Sequence, residues 1–281
     1  MAVIQDVELK KRKRPMAFIY IILSIGMIVQ FLPITWMFLG TFKTNKELMS
    51  SVPTLLPKNW QLENYISMFT KYNLWQNILN TVFICAAIII VQTATSTLAA
   101  YALSKVKPKC GKFIYMFILG TQMFSTMALL FPSYIMFVEL DMIGNRWSWI
   151  LSSSAWGYAI VLYKGFFDGI PGEMIDAARI DGAGTTRVIF NIMFPLTKPV
   201  YAVCILNTFI AVYNDFLFPM MLLPDSKDWT LMMRVFNLQK ANSGQAEMYT
   251  MLFITCIPTV LFYLFAQKNI QEGISTAGIK G

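Results

Sequence analysis

Residues Ile170–Leu196, IPGEMIDAARIDGAGTTRVIFNIMFPL, form a polar segment between two long apolar segments. A Pro-Gly pair at Pro171 is typical of a helix start, and acidic residues in the next turns are favourable near a helix N-terminus. A glycine break at Gly182 predicts that this helix ends there and that a second one begins near Thr185. We call residues 170–196 the docking segment, because a short polar helix here could lie along a membrane and meet another protein.

Composition indicates an integral membrane protein. Of 281 residues, 56% are hydrophobic and only 14% are charged, and the mean hydropathy is +0.55, which leaves too little polar surface for a soluble domain. Six apolar segments can each cross a hydrocarbon core of about 30 Å, which takes about 20 helical residues. They are Met16–Leu39, Ile78–Leu103, Phe113–Val138, Trp147–Phe167, Pro199–Leu223 and Met248–Gln267. None alternates like a barrel strand, so the predicted fold class is an all-α membrane protein with six transmembrane helices.

The basic residues predict the orientation. With both termini inside, fifteen of the twenty-three basic residues fall on the cytoplasmic side, as the positive-inside rule expects. The run Lys10–Arg14 adjoins the first span, where it fits a topology determinant close to anionic lipid, so the net charge of +8 requires no nucleic acid. We expect a multi-pass protein of the bacterial cytoplasmic membrane with both termini cytoplasmic.

The sequence lacks the residue patterns of common catalytic, metal-binding and nucleotide-binding sites. It has no histidine, and three of its four cysteines (Cys85, Cys204 and Cys256, but not Cys110) fall inside predicted spans. It also lacks a GxxxxGK[ST] phosphate loop, a GxSxG elbow and a CxxC pair. We therefore expect no catalytic residue, no metal site and no cofactor bound to this chain, which disfavours an intramembrane enzyme.

The spacing in the docking segment resembles the EAA loop of permease subunits of binding-protein-dependent ABC importers. That loop reads Glu-Ala-Ala, three residues, Gly, nine residues, Ile, one residue, Leu-Pro. The matching positions here are Asp176, Ala177, Ala178, Gly182, Ile192, Phe194 and Pro195. Asp176 replaces the usual glutamate and keeps its charge, and Phe194 replaces the usual leucine.

Three further stretches resemble the carbohydrate branch of that family. The ending Gln271–Gly281, QEGISTAGIKG, is similar to the terminus of the branch, and Tyr213–Phe216 is similar to its aromatic-Asn-Asp-Phe element. The outer loop Lys43–Gln76 is similar to the family's stretch after the first helix. The resemblance is to a maltose-type G subunit, and it implies a type I ABC importer permease fold that forms half of a sugar pathway, with an oligosaccharide favoured, and works by alternating access.

The resemblance also implies partners and a domain plan. The partners would be a second, F-like permease, two nucleotide-binding ATPase subunits that hold ATP and Mg, an extracytoplasmic sugar-binding protein and membrane lipid, with no nucleic acid. Residues 1–15 would form a basic cytoplasmic tail, 16–267 the permease domain and 268–281 a cytoplasmic C-terminal tail. Within the permease domain, 168–198 would be the coupling loop and 224–247 an outer loop.

Coupling to the ATPase is the role that the resemblance assigns to the docking segment. The small side chains of Ala177 and Ala178 would let the helix sit closely in a groove on the ATPase, and Gly182 would permit a left-handed turn that ends it. The helix pattern alone is equally compatible with an ordinary amphipathic connector. The expected coupling residues are Glu173, Asp176, Ala177, Ala178, Asp181, Gly182, Ala183, Ile192 and Pro195.

Two further sets of residues are candidates for contact with the solute and with the binding protein. Asp215 lies sixteen residues into the fifth span, about 24 Å along a helix, so structural hydrogen bonding with Asn214 or a place in a cavity wall is favoured over direct binding. The candidate solute-path residues are Gln122, Trp156, Tyr213, Asn214 and Asp215, which helix packing explains equally well. The candidate binding-protein contacts in the outer loop are Leu238, Asn242 and Gly244.

Two alternatives remain open at this stage. An ABC permease for a non-sugar solute would share the docking segment. An ion-coupled secondary carrier or channel would instead need ligands for a coupling ion within the membrane, and the spacing of residues 176–195 does nothing to support it.

Overall fold

The computed structural model describes the backbone of residues 2–52, 54–240 and 244–278, and the side chains of residues 18–52, 54–240 and 244–267. Within these ranges every regular element is helical. The α-helices are α1 (Ala2–Gly40), α2 (Asn45–Leu48), α3 (Glu63–Thr70), α4 (Leu74–Tyr101), α5 (Gly111–Thr121), α6 (Thr126–Glu139), α7 (Arg146–Ser152), α8 (Gly157–Asp168), α9 (Gly172–Ile180), α10 (Thr185–Val188), α11 (Phe194–Leu196), α12 (Lys198–Asn214), α13 (Leu217–Leu222), α14 (Leu231–Lys240) and α15 (Gln245–Gly278). Two π-helical segments, Ala102–Val106 and Ile189–Met193, and a 3₁₀ turn, Ser226–Asp228, join them.

Three helices in the described ranges are long and apolar enough to cross a membrane without a break. They are Phe18–Gly40 in α1, Leu74–Val106 in α4 with its π extension, and Gln245–Gln267 in α15, and they match the first, second and sixth predicted spans. Two further pairs of helices are long and apolar enough only when taken together: α5 and α6 meet at 103°, and residues 185–196 meet α12 at 87°. Counting each bent pair once gives five.

By contacts, the chain divides into two compact units, residues 1–72 with 241–254 and residues 73–240 with 255–281. In the first unit the outer loop folds onto helix ends. The Asn64 side chain donates to the carbonyls of Thr41 (2.7 Å) and Lys43 (3.0 Å). The Tyr72 hydroxyl donates to Glu247 at 2.8 Å. These bonds give the polar residues between α1 and α4 fixed positions.

In the second unit, α4, α8 and α12 form a buried core. Tyr163 and Tyr201 are almost fully buried, with ring centroids 4.4 Å apart. The Tyr201 hydroxyl is 2.9 Å from the Thr97 hydroxyl of α4. Because a buried phenol needs a hydrogen-bond partner, this contact fixes the register of α12 on α4.

The fourth predicted span, Trp147–Phe167, is not continuous, because the chain leaves helical geometry between α7 and α8. Side chains of α4 bind the carbonyls at this break: the Gln92 amide donates to Ser153 O at 2.9 Å, and the Thr95 hydroxyl donates to Ser154 O. The Thr208 hydroxyl of α12 donates in turn to the Gln92 side-chain oxygen. A break at membrane depth is tolerated only with such partners.

The third and fifth predicted spans are also corrected. The bend in the third falls at residues 122–125, whereas Pro132 lies inside α6. The fifth span was predicted as Pro199–Leu223, but its helix ends at Asn214. At its start, Pro199 has no N–H to continue a ladder, and the Thr197 hydroxyl binds the Met193 carbonyl at 2.7 Å.

The segment 224–247 was predicted as a polar outer loop, but residues 231–240 within it form the helix α14. The side chains of Asn77 and Asn80 donate to the Trp229 carbonyl at 2.9 and 3.0 Å, and Thr81 accepts from the Leu231 N–H at 2.9 Å. One face of α14 is therefore buried. On the same side of the unit, Arg146 of α7 forms an ion pair of 2.6 Å with Asp228 of the 3₁₀ turn.

Gln92→Leu should lower the thermal stability of the protein in detergent. The change removes the donor to Ser153 O and the acceptor for Thr208, and an unsatisfied buried polar group costs about 1 to 3 kcal/mol. The apparent melting temperature should therefore fall relative to the parent chain and to the control Gln239→Leu, whose side chain is exposed on α14. Equal melting temperatures for the two variants would show that the break does not depend on Gln92.

Candidate functional site

The docking segment folds as its pattern predicts. Pro171 precedes α9 in an extended conformation (φ −56°, ψ 135°), and α9 runs over nine residues. The chain then turns, and α10 begins at Thr185. The prediction of a short helix that a glycine ends, followed by a second helix from about Thr185, is confirmed.

Gly182 ends α9 in a Schellman motif. The N–H of Ala183 donates to Ala178 O at 2.9 Å, and the N–H of Gly182 donates to Arg179 O at 3.0 Å. Gly182 has a φ of +78°, so the predicted left-handed turn is confirmed. A Cβ built at Gly182 would meet nothing within 4 Å, so the need for glycine here comes from backbone conformation and not from crowding.

One face of α9 packs on this chain's own core. Ile175 is 4% exposed and belongs to the buried cluster that includes Tyr101 and Tyr163. Ala178 and Ala183 also pack against that cluster. The small side chain of Ala178 is half-buried and lets α9 approach the helices of its own chain, while its contact with an ATPase groove stays a prediction.

The opposite face of α9 is exposed and partly apolar. Met174 is 44% exposed and Ile180 is 87% exposed, and Ala177 lies between them on the same side. Glu173 and Asp181 are exposed as well. Sequence reasoning missed Met174 and Ile180, although apolar residues every third position in a polar segment are a recognisable signal of such a face.

The second part of the docking segment, residues 185–196, also has a buried side and an exposed side. Val188, Ile189 and Met193 are buried in the core cluster, whereas the predicted coupling residues Ile192 and Pro195 are half-buried and exposed, respectively. Asp176 is exposed. The structure therefore brings the expected coupling residues together on one short helix–turn–helix, with its inner side fixed to α4, α8 and α12.

Next to α9, the end of α8 carries an ion pair. Lys164 and Asp168 are 2.6 Å apart, and the Ser104 hydroxyl donates to Asp168 at 2.6 Å. Partial burial opposes ionisation of Asp168, but the hydrogen bonds from Lys164 and Ser104 outweigh it and lower the pKa of its carboxyl. Asp168 is therefore charged at neutral pH and pairs with Lys164.

Asp215 lies at the end of α12 and not within it. The backbone N–H groups of Leu217 and Phe218, at the start of the next helix, lie near its carboxylate. The expected bond to Asn214 is absent, because the Asn214 amide donates to Ile210 O at 2.9 Å. Asp215 does line a cavity of about 450 Å³, as expected for a cavity wall. Its polar lining also includes Thr126, Ser133, Ser152 and Ser153.

The other candidate solute-path residues do not converge on this cavity. Tyr213 is 3% exposed and its hydroxyl donates to Thr255 O at 2.6 Å. Trp156 packs on the core cluster, and its ring centroid is 5.1 Å from that of Tyr158. Gln122 is exposed, with its amide 3.2 Å from the Thr121 hydroxyl. The cavity around Asp215 is the better candidate for a polar route than the set chosen from the sequence.

The candidate binding-protein contacts are also revised. Leu238 is 1% exposed in the buried face of α14, so its side chain is not available to a partner. Gly244 lies against the Asn45 side chain, which would collide with a Cβ at that position and which accepts the N–H of Ala246 at 2.9 Å. Asn242 lies outside the described residues. On α14 the exposed positions are Gln239 and Lys240.

Residues 92–276 match the family model described as "Binding-protein-dependent transport system inner membrane component". The chain belongs to this family. The match covers the docking segment, the cavity beside Asp215 and α12 to α14.

Curated relatives align along most of the chain. The maltodextrin transport system permease protein MdxG of Bacillus subtilis is 32% identical over 79% of this chain and 82% of its own length. The diacetylchitobiose uptake system permease protein NgcG of Streptomyces coelicolor is 26% identical over 94% and 88%. The galactooligosaccharides transport system permease protein GanQ of Bacillus subtilis is 27% identical over 98% and 99%.

A solved structure shares the fold. A chain of a bacterial ABC transporter involved in the import of the acidic polysaccharide alginate superposes with a TM-score of 0.80 at 21% identity, over 91% of this chain and 96% of that one. The protein is thus an all-α membrane protein with the ABC importer permease fold, as predicted.

Gly182→Val should disorder the end of α9. Its φ of +78° costs a β-branched residue about 1 to 2 kcal/mol or more, because the left-handed conformation crowds Cβ. Hydrogen exchange at the Ala183 amide should accelerate about tenfold relative to the parent chain. Gly182→Asn should keep near-parental protection, because asparagine tolerates this region.

The matched control is Gly184→Ala, two residues further along. Gly184 has an ordinary φ of −69° and open space around it, so alanine should leave the exchange unchanged. Parental exchange in Gly182→Val would contradict a conformational role for this glycine.

Proposed function

We propose that this chain is a transmembrane permease subunit of an ATP-driven, binding-protein-dependent importer of a sugar, and specifically of an oligosaccharide. The observation that carries the proposal is the docking helix: within a family match over residues 92–276, α9 offers an exposed apolar face while its other face is fixed to the core. The sugar assignment is supported by relatives named for maltodextrin, diacetylchitobiose and galactooligosaccharide transport.

In the proposed mechanism, ATP and Mg are held by two separate ATPase subunits, and this chain binds no cofactor. The ATPase would contact the exposed face of α9, with Ile180 and Met174 as apolar anchors and Glu173, Asp176 and Asp181 at the polar rim. Because Ile175 and Ala178 join the other face to the cluster between α4, α8 and α12, movement of α9 would be transmitted to those helices.

The solute would pass through the second unit of this chain and a second, F-like permease. The cavity beside Asp215 supports this part of the proposal, because hydroxyl, carboxylate and backbone groups at a helix break suit the hydroxyls of a sugar. Alternating access would expose the cavity to each side of the membrane in turn.

The remaining partners follow from the same proposal. An extracytoplasmic sugar-binding protein would deliver the solute to the outer side, where Gln239 and Lys240 are exposed on α14. Both termini would be cytoplasmic in a bacterial inner membrane, as the distribution of fifteen of the twenty-three basic residues favours. Membrane lipid surrounds the chain, and nucleic acid has no part in the function.

Ile180→Glu should weaken capture of the ATPase subunits. A charge at the most exposed apolar position of α9 would have to be desolvated in the docked complex, so co-purification with the ATPase should fall at least tenfold while the permease itself remains folded. Arg187→Gln is the control, because its exposed side chain lies in the same segment outside α9. Undiminished capture by Ile180→Glu would remove α9 from the interface.

The complete assembly should couple ATP hydrolysis to sugar uptake. The purified chain alone should hydrolyse no ATP, whereas vesicles that contain both permeases, the ATPases and a sugar-loaded binding protein should hydrolyse ATP and accumulate the sugar. Uptake driven by a proton or sodium gradient without ATP would instead support a secondary carrier. ATP-driven uptake of a non-sugar solute alone would overturn the sugar assignment.

A further inference from the structure

A cavity of about 840 Å³ lies beside α9, the docking helix, next to the end of α8 and the start of α5. Its walls come from four places in the second unit: the π extension of α4, the first turns of α5, the end of α8 and α9 itself. The proposed solute route beside Asp215 does not use this space. We call it the basic cavity.

Positive charge predominates in the basic cavity. Its lining contains five basic side chains, Lys105, Lys107, Lys112, Lys164 and Arg179, but only two carboxylates, Asp168 and Asp176. The α4 and α8 members are already engaged: Lys164 pairs with Asp168 at 2.6 Å, and Lys105 donates to Ile170 O at 2.7 Å.

Three cations of the basic cavity lack a carboxylate partner. Among the side chains that the structure describes, no carboxylate lies within ion-pair distance of Lys107, Lys112 or Arg179. Arg179 makes one hydrogen bond, of 3.3 Å, to the Tyr101 hydroxyl, which leaves other guanidinium donors available. Three unpaired cations from three elements around one space favour an anion with several acceptor oxygens.

The basic cavity lies at the ends of apolar helices, where an anion from a lipid headgroup would be at hand. The α4 span ends at Val106 and α5 begins at Gly111, so the lining residues Lys107 and Lys112 lie where helices leave the apolar region. The Tyr115 ring, 4.8 Å from Lys164 Nζ, is an aromatic group of the kind found at membrane interfaces.

The helix that supplies Lys112 and Tyr115 also presents an apolar face to its surroundings. Phe113, Met116 and Phe117 on α5 are 73%, 61% and 67% exposed. A ligand with a phosphate in the basic cavity and hydrocarbon chains along α5 would satisfy both features. A free inorganic anion would use only the first.

We propose that the basic cavity binds the phosphate headgroup of an anionic phospholipid, with Lys107, Lys112 and Arg179 as its ligands. In the proposed orientation this lipid belongs to the cytoplasmic leaflet, which is rich in anionic headgroups. The lipid would lie between α5 and the docking helix and tie α9 to the membrane surface. Lipid composition would then affect the position of the helix that meets the ATPase.

The test measures lipid binding to the purified full-length chain by native mass spectrometry, so its outcome is independent of transport. Phosphatidylglycerol should be retained in preference to phosphatidylcholine with the same acyl chains. Each basic residue contributes roughly fivefold to the affinity for an anionic lipid, so Lys107→Gln combined with Lys112→Gln should weaken phosphatidylglycerol binding about 25-fold. Lys112→Gln alone should weaken it about fivefold and serves if the double variant folds poorly.

The charge-matched control is Arg187→Gln combined with Lys198→Gln, two exposed basic residues of the same loop region outside the basic cavity. It should retain parental binding. Equal losses in the two double variants, or no loss in either, would overturn the proposal.

Two further measurements, one with an added competitor and one of ATPase capture, distinguish the other occupants. Millimolar inorganic phosphate should leave phosphatidylglycerol bound, and displacement would assign the site to free phosphate. Loss of ATPase capture by the Lys107 and Lys112 double variant with lipid binding intact would show that the basic cavity receives an acidic surface of the ATPase.

Discussion

The constraint that governs this structure is that backbone N–H and C=O groups within a bilayer must find partners in the protein. An unbroken helix meets the constraint by itself, as in Leu74–Val106. A break needs partners from other helices, as where Gln92 and Thr95 of α4 bind the carbonyls between α7 and α8. Some of the buried polar residues of this apolar protein are therefore found at a helix break, and the cavity beside Asp215 includes Ser152 and Ser153 of that break.

The docking helix depends on the same core. Ile175 and Ala178 hold one face of α9 against the cluster that α4, α8 and α12 share, and the Schellman motif at Gly182 stops the helix before its exposed face can lengthen. A nine-residue helix is too short to be stable alone in water, so packing and capping must supply its rigidity. A rigid element with one fixed face and one free face is what transmission of movement between subunits requires.

On the opposite side of the second unit, polar residues of α4 serve to fasten and not to bind solute. Asn77, Asn80 and Thr81 hold the backbone around residues 229–231, and Arg146 pairs with Asp228. The segment that follows is thus an ordered helix with a buried Leu238, which leaves its exposed end as the surface available to a partner. The arrangement separates the two ends of the unit, with docking and basic groups at one and an anchored helix at the other.

Composition and short-range sequence patterns were sufficient to predict three features: an all-α membrane protein, the helices of the docking segment, and the left-handed conformation of Gly182. Length and apolarity of a segment determine whether it can cross a bilayer, and the conformation at Gly182 follows from a short-range pattern of residues. The family resemblance read from residues 176–195 is consistent with the match over residues 92–276. What the sequence could not determine was where spans break, because Gln92 and Ser153 are 61 residues apart and only the folded chain brings them together. The same reason explains why Ala178 faces inward, why Tyr213 and Leu238 are buried, and why lysines from three separate elements surround one cavity: hydrophobic periodicity shows that a helix has faces, but tertiary packing decides which neighbour each face meets.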